Sequence, residues 1–288
     1  MVLLCRLVFP DGDTLNIPSI GQAEVIDYDE GQSVRYTAMD TGNFTFTINK
    51  YKSSATYITN KMKQDSFYMS RLVSSFVPKQ HRAIAKAMEV DILNLGYAGQ
   101  TASNANLINS AAHRWVAAGT NQAISANDFA RARYSLQKAN VPMTNLVAIV
   151  DPSVEYQLST ITNLTSLTNN PRWEGVVREG MSTGMKFLFN VYGFDVYTSQ
   201  NLPSGITETI TAFGASTGVT SNGVANYFFS AAPDVLPFVG SVRQPPKVDS
   251  EYNKDLQREE YVTTCRYGFK LFRPENMVTV ISDASRIS

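Results

Sequence analysis

Residues 60–96, NKMKQDSFYMSRLVSSFVPKQHRAIAKAMEVDILNLG, read as a long helix with one interruption. Ile84, Met88, Ile92 and Leu95 recur at steps of four, four and three, an apolar stripe at helical period. Met69, Val73 and Phe76 continue it toward the N-terminus, beside Tyr68 and Leu72. Asn60 is placed to cap the first turn by accepting from a free amide, and Gly96 to end the last. Pro78 lacks an amide donor and crowds the preceding turn, so a kink or break is expected there. If continuous, these 37 residues make a rod about 55 Å long at about 1.5 Å per residue. That is more than a globular domain of this size needs.

The chain before this helix is extended. Thr14 to Ile17 alternate, Ala23 to Tyr28 are strand-like, and Asp29-Glu30-Gly31 supplies a turn. Val34-Arg35-Tyr36 leads back, and Phe44-Thr45-Phe46-Thr47-Ile48 is a clean period-two run. Two arms around one turn make a long hairpin, which is marginal in water without a cover for its apolar face. Spacing alone leaves two covers open for Phe44, Phe46 and Ile48: the chain's own body or a neighbouring subunit.

After the helix, residues 97–125 are small, amide-rich and irregular, anchored by Trp115. Ser125 opens a helix, with Asp128 completing a capping box and Phe129, Ala132, Leu136 and Ala139 as its buried stripe. Leu146 to Val150 is a strand apolar on both faces, and Asp151-Pro152 starts a short helix with Val154 and Leu158 inward. A short helix is expected around Trp173, and two strands flank Gly193. Residues 203–224 are either a mobile loop or an exposed hairpin. Tyr227-Phe228-Phe229 re-enters a core, Pro245-Pro246 marks a boundary, and residues 249–260 read as a charged, solvated stretch. Alternation resumes at Tyr261, Cys265, Tyr267, Phe269 and Leu271, and residues 277–281 form a last strand.

At 288 residues and 43% apolar, the chain builds one large domain or two intimate ones. A formal net charge of zero excludes a broad electrostatic footprint for nucleic acid or anionic membrane. The N-terminal apolar run stops at Pro10-Asp11-Gly12, too short to span a bilayer and without a signal-peptide pattern. Cys5 and Cys265 have no metal spacing; a disulfide between them is one alternative, and buried free thiols of a reducing compartment are the preferred reading.

Motifs that carry chemistry are few and incomplete. Gly180-Met-Ser182-Thr-Gly184 and Gly214-Ala-Ser216-Thr-Gly218 match a nucleophile-elbow pattern. That elbow follows a buried strand and needs a later histidine, whereas His81 and His113 precede both serines. Both segments read as turns. Neither histidine has a ligand partner at metal spacing, and no phosphate-cradling glycine motif is present. Glu89 and Asp91, two apart on a helix, face different directions. No catalytic residue, metal site or cofactor site is assigned.

The element order carries more. A short strand runs into Gly12-Asp13-Thr14-Leu15-Asn16-Ile17-Pro18; a hairpin with an acidic tip returns through Phe46-Thr47-Ile48-Asn49; a long helix follows with Arg82-Ala83-Ile84-Ala85-Lys86-Ala87-Met88-Glu89 in its second half. Later, residues 192–203 (YGFDVYTSQNLP) form a strand and exit turn. This chain thereby resembles the major capsid proteins of tailed bacteriophages, the Hong-Kong-97-type shell fold, most nearly their short-tailed branch. The resemblance implies an α+β fold: an N-terminal arm at residues 1–11, an E-loop hairpin at 12–56, and a peripheral domain with spine helix at 57–100 and 241–272. An axial domain would take 101–240 and 273–288. Only eleven residues precede Gly12, where such proteins carry a longer arm.

The resemblance also implies a structural protein rather than an enzyme, one that assembles into hexamers and pentamers of an icosahedral shell. The E-loop would then lie across a neighbour with Phe44, Phe46 and Ile48 on the contact face and Arg35 on the returning arm. Its tip at Asp29 and Glu30 would meet basic residues there. Scaffolding, portal and decoration proteins are the implied partners. The shell would enclose double-stranded DNA without sequence-specific contact, touch no membrane, form in the host cytoplasm and end as the virion capsid. An encapsulin-like compartment is the alternative within the fold, and a serine hydrolase using Ser182 or Ser216 the alternative outside it.

Overall fold

The computed structural model describes residues 5–6, 12, 14–20, 41–65, 69–160 and 187–284. Two sheets and one long helix dominate it. The small sheet has four strands in the order Cys5–Arg6, Phe238–Asn253, Arg258–Leu271, Lys50–Thr59. The first pair is parallel and the others antiparallel. Period-two burial is clearest on Arg258–Leu271, where Thr263, Cys265 and Tyr267 are buried as alternation predicts. Pro245-Pro246 is no boundary: it lies inside the Phe238–Asn253 strand, where the register slips between Val242 and Lys247. A proline takes no ladder bond away at such a bulge. Residues 249–260, read as charged and solvated, are the wet end of the hairpin joining the two long strands, with its turn at 254–257.

The large sheet has seven strands. Leu146–Val150 lies at its centre, parallel to Phe194–Thr198 on one side and antiparallel to Ala215–Ser230 on the other. Met277–Asp283 and Arg114–Val116 extend it beyond Ala215–Ser230, and Phe187–Val191 closes the opposite edge. Residues 203–224 resolve as the exposed-hairpin alternative: Ile206–Ala212 pairs with Ala215–Ser230 around a two-residue turn, Phe213-Gly214, with φ of 52° and 78°. The helix Ala126–Lys138 covers this sheet with Phe129, Ala132 and Leu136. The Phe129, Phe194 and Phe228 rings meet edge to face at 5.0–6.2 Å. Asp128 caps the helix from Ser125 N at 2.9 Å and fixes Trp115, whose Nε1 donates to it at 3.2 Å. The helix expected around Trp173 falls outside the described residues.

The long helix appears as Asn60–Asp65 and Met69–Ala98, the latter running through Pro78 on an exposed face. Thr59, not Asn60, is the cap: its Oγ1 accepts from Met62 N at 3.3 Å. The Asn60 side chain instead donates to Tyr252 Oη at 2.7 Å and Gln257 Oε1 at 3.0 Å. The apolar stripe divides its work. Ile84, with Met88 beside it, packs on Cys265 and Tyr267 of the small sheet, and Ile92 with Leu93 enters the large-sheet core. Glu89 and Asp91 diverge as their spacing requires. Glu89 accepts from Ser199 Oγ and Asn201 Nδ2 at 2.7 and 3.0 Å, and Asp91 accepts from Tyr267 Oη at 2.7 Å.

Gly96 does not end the helix, which continues to Ala98. It makes room: a Cβ there would stand 3.0 Å from the Tyr227 ring and 3.3 Å from Phe238. Gly96→Val should therefore destabilise the fold by about 1–3 kcal/mol through overpacking. Denaturant unfolding measures this, and an unchanged midpoint would show that Tyr227 gives way freely.

Candidate assembly surface

Thr14–Ile20 and Thr41–Thr47 pair antiparallel in register from Thr14↔Thr47 to Ile20↔Thr41, the ribbon the alternation predicts. Its root is set by the period-two run. Phe46 is 0% exposed and Ile48 4%, both packed on Val239 of the small sheet. Phe44 sits edge to face on Phe272 at 4.7 Å, under the Lys270 ammonium at 4.4 Å from the ring centroid. Lys270 Nζ also donates to Thr45 O at 2.7 Å, and Arg243 donates to Gly12 O. A Cβ at Gly268 would come 2.6 Å from Thr47 O, so the strand beneath must lack a side chain where the ribbon crosses it. The chain's own body thus covers Phe46 and Ile48, and leaves Phe44 half-buried. For Phe46 and Ile48 this corrects the expected place on a neighbour, because a side chain sealed within one subunit has no surface left for another. Residues 50–56, expected within the hairpin, form the edge strand of the small sheet. Asp29, Glu30 and Arg35 lie outside the described residues.

Outward on the small sheet are the edge strand Lys50–Thr59, presenting Tyr51 and Tyr57, and the far end with Tyr252 and Leu256, beside the exposed Met62 of the Asn60–Asp65 helix. Arg258 lies 4.6 Å over the Tyr57 ring and donates to Glu260 Oε1 at 2.6 Å, and Lys63 pairs with Glu259. Among the described residues no strand pairs with this outer edge, and a strand edge with aromatic side chains suits pairing with another chain.

Sequence reasoning missed a buried anchor in the large sheet, at the C-terminal end of the long helix. Arg114 grips Glu208 bidentately, Nη2 to Oε1 at 2.6 Å and Nε to Oε2 at 3.2 Å, both side chains almost wholly buried. Tyr97 Oη donates to Glu208 Oε1 at 2.5 Å, Ser103 N to Oε2 at 3.1 Å, and Arg114 stacks on the Tyr97 ring at 4.6 Å. Burial pushes the Glu208 carboxyl up, but the hydrogen bonds from Arg114, Tyr97 and Ser103 outweigh it and hold it below its ordinary value. Burial, then the Glu208 bond, pushes the Tyr97 hydroxyl up. One signal was readable: in Ile206-Thr-Glu208-Thr-Ile210 the glutamate shares the parity of two inward isoleucines.

The residues weighed for chemistry stay apart. Ser216 lies on the exposed start of a strand, paired with Thr211, rather than at the top of a buried one. The Ser182 segment is outside the described residues. His113 is fully buried, its Nδ1 against Ala111 O at 3.1 Å, and burial lowers its pKa from the ordinary 6.5. Cys265 is a buried free thiol, donating to Gln244 O at 3.2 Å. Among the described residues no group of three or more His, Cys, Asp or Glu is placed to hold a metal, and no helix is long and apolar enough to cross a membrane.

A family model described as phage capsid protein matches residues 43–280. No curated protein matches the chain. Among solved structures it is similar to that of Mycobacterium phage Che8, at 18% identity and TM-score 0.66, over 94% of this chain and 85% of that one. The capsid structure of cyanophage P-SCSP1u gives 15% identity and TM-score 0.69 over 96% and 86%. The capsid of Ralstonia phage GP4 gives 13% and 0.64 over 99% and 88%. At such identities the likeness is one of fold: the Hong-Kong-97-type capsid fold, mixed α and β, without singling out the short-tailed branch.

Two outcomes follow from the buried contacts. Phe46→Asp should unfold the subunit rather than leave a folded, assembly-deficient monomer, since an unpaired charge in a dry core costs several kcal/mol; a native circular-dichroism spectrum for this variant would refute the self-covered root. Glu208→Gln should cost about 3–5 kcal/mol by stranding Arg114. Because the folded carboxyl titrates below its ordinary 4.5, its contribution is full above that pH and is lost as pH falls further. His113, lowered from 6.5, weakens the fold in the same direction from a higher pH. Unfolding midpoints against pH should show the lower step vanish in Glu208→Gln and persist in wild type.

Proposed function

The chain belongs to the phage capsid protein family, and from that premise we propose how this geometry builds the shell of the virion. It is a structural shell protein, not an enzyme, and it acts as an oligomer in the capsid. The family match over residues 43–280 carries this reading. It leaves the encapsulin-like compartment unfavoured, and Ser216, exposed on a strand, does not top a nucleophile elbow.

The ribbon and its continuation through residues 21–40 act as an E-loop that reaches a neighbouring subunit. The small sheet with the long helix is the peripheral domain, at about 57–100 and 241–272 with the edge strand from Lys50. The large sheet is the axial domain, at 101–240 and 273–288. Supporting this division, one stripe of the helix packs on the small sheet at Ile84 and Met88 and enters the large-sheet core at Ile92. Such wedge-shaped subunits make heterologous contacts that close into hexamers and pentamers. The hairpin's role passes from its root, sealed within the subunit, to its distal half, where Asp29, Glu30 and Arg35 remain the contact candidates. A zero net charge suits an interior that confines double-stranded DNA without gripping it. Assembly in the host cytoplasm with scaffolding, portal and decoration proteins completes the proposal.

The test is the particle itself. Light scattering and negative-stain microscopy of the purified chain should show shells or rings. Replacing residues 21–40 by a two-residue Asn-Gly turn should leave a folded subunit that forms no shell. Shells from the shortened chain, equal in yield and size to wild type, would remove the hairpin from assembly.

A further inference from the structure

We propose that a pocket at the C-terminal end of the long helix binds an organic cation, an ammonium or guanidinium head on an aliphatic stem. The pocket, about 350 Å3, is lined by Gln100, His113 and Glu275 together with Leu107 and Ile108. It lies where Met69–Ala98 runs out, beside the Leu107–Ile108 strand and the turn that leads into Met277–Asp283.

Two atoms of its lining residues are buried acceptors with no partner among the described residues: Gln100 Oε1 and His113 Nε2. The other end of each group fixes its state. Gln100 Nε2 donates to Met277 O at 3.1 Å, so the amide cannot turn over and Oε1 stays an acceptor. His113 Nδ1 faces Ala111 O at 3.1 Å; a carbonyl only accepts, so the proton sits on Nδ1 and Nε2 offers a lone pair. Burial lowers the pKa of this ring from 6.5 and keeps it neutral at pH 7. Gln100 is 8% exposed and His113 0%. Buried polar atoms are nearly always hydrogen-bonded, because leaving one bare costs more than a typical bond gains.

Both atoms need a donor, and the charge around them is negative. Glu275 is half-buried and forms no ion pair among the described residues. Neighbouring cations are committed elsewhere: Arg273 donates to Asp234 O and stacks on Phe272, and Arg114 grips Glu208. Gly99, directly after the helix, also lines the pocket, which sets the negative pole of the helix dipole beside it. Ammonium and guanidinium groups carry several N–H donors and no acceptor. Water would bring no charge to Glu275, and a bare metal ion would leave most of the volume unfilled. Leu107, 67% exposed, and Ile108 give a chain of methylenes a surface to lie on. Such a cation comes from a lysine or arginine side chain of a second copy, or from a free amine.

Calorimetric titration of the full chain with n-butylguanidinium and n-butylammonium tests this. Saturable binding is expected, weakened about tenfold or more by Glu275→Gln and by Gln100→Leu, the scale of one hydrogen bond to a charged group. The chain has two histidines, so their ring-nitrogen resonances can be told apart. That of His113 Nε2 should move on binding while those of His81 stay. Should Gln100→Leu misfold, Glu275→Gln and the His113 resonance decide alone. Binding to unassembled subunits but not to shells would identify a second copy's side chain as the natural occupant; binding to both would identify a free amine. No saturable binding in either form overturns the proposal and leaves the pocket to water. So does binding that is indifferent to Glu275→Gln or that leaves His113 Nε2 unmoved.

Discussion

The Met69–Ala98 helix has two sheets to satisfy with one apolar stripe, and the rest of the subunit depends on how it does so. Ile84 and Met88 meet Cys265, Tyr267 and Phe269 of the small sheet. Two turns on, Ile92 and Leu93 are inside the large-sheet core, where Tyr227 Oη donates to Leu93 O at 2.7 Å. Gly96 lets that tyrosine ring lie against the helix. A rotation of the helix would uncover both cores at once, so the two sheets hold a fixed relation through a single rod. Close-packed interiors have few intermediate arrangements, which is what a subunit transmitting contact geometry around a ring requires.

The second constraint is the Arg114–Glu208 pair. It ties the helix end, through Tyr97 and Ser103, to a strand from the irregular segment and to the Ile206–Ala212 hairpin. A buried pair gains little net stability over an apolar replacement, since desolvation offsets most of the attraction. What it adds is discrimination: the bidentate fork and two further donors saturate Glu208 in one geometry only. Segments with little apolar surface of their own, such as Thr101 to Asn106, are positioned by it. We read the pair as register control rather than as a store of stability.

Much of this was legible, and the misses share a cause. Periodicity located the long helix, the Ser125 cap, the doubly buried Leu146–Val150 strand and the hairpin turn at Gly193, because each is a local pattern in which propensity and packing agree. Failures came where a partner distant in sequence decided the outcome. Gly96 looked like a stop until Tyr227 was placed beside it. Pro245-Pro246 looked like a boundary until a bulge in their own strand, set by the register against Arg258–Leu271, accommodated them. Asn60 lost the cap to Thr59 because its amide was claimed by Tyr252 and Gln257, almost 200 positions away. Arg114 and Glu208 carry no motif at all, only a parity that marks the glutamate as inward.

The hairpin root shows how the same contacts serve assembly without being interface. An arm that binds a neighbour must keep its direction when unbound, or ordering it on contact consumes the affinity gained. Phe46 and Ile48 sealed on Val239, with Gly268 open beneath Thr47, hold the ribbon at a set angle before any neighbour arrives. Apolar residues at the root therefore belong inside the subunit, and recognition falls to the polar, charged residues further out. This division places the stiffening contacts where alternation is cleanest and leaves the acidic stretch to choose its partner by charge.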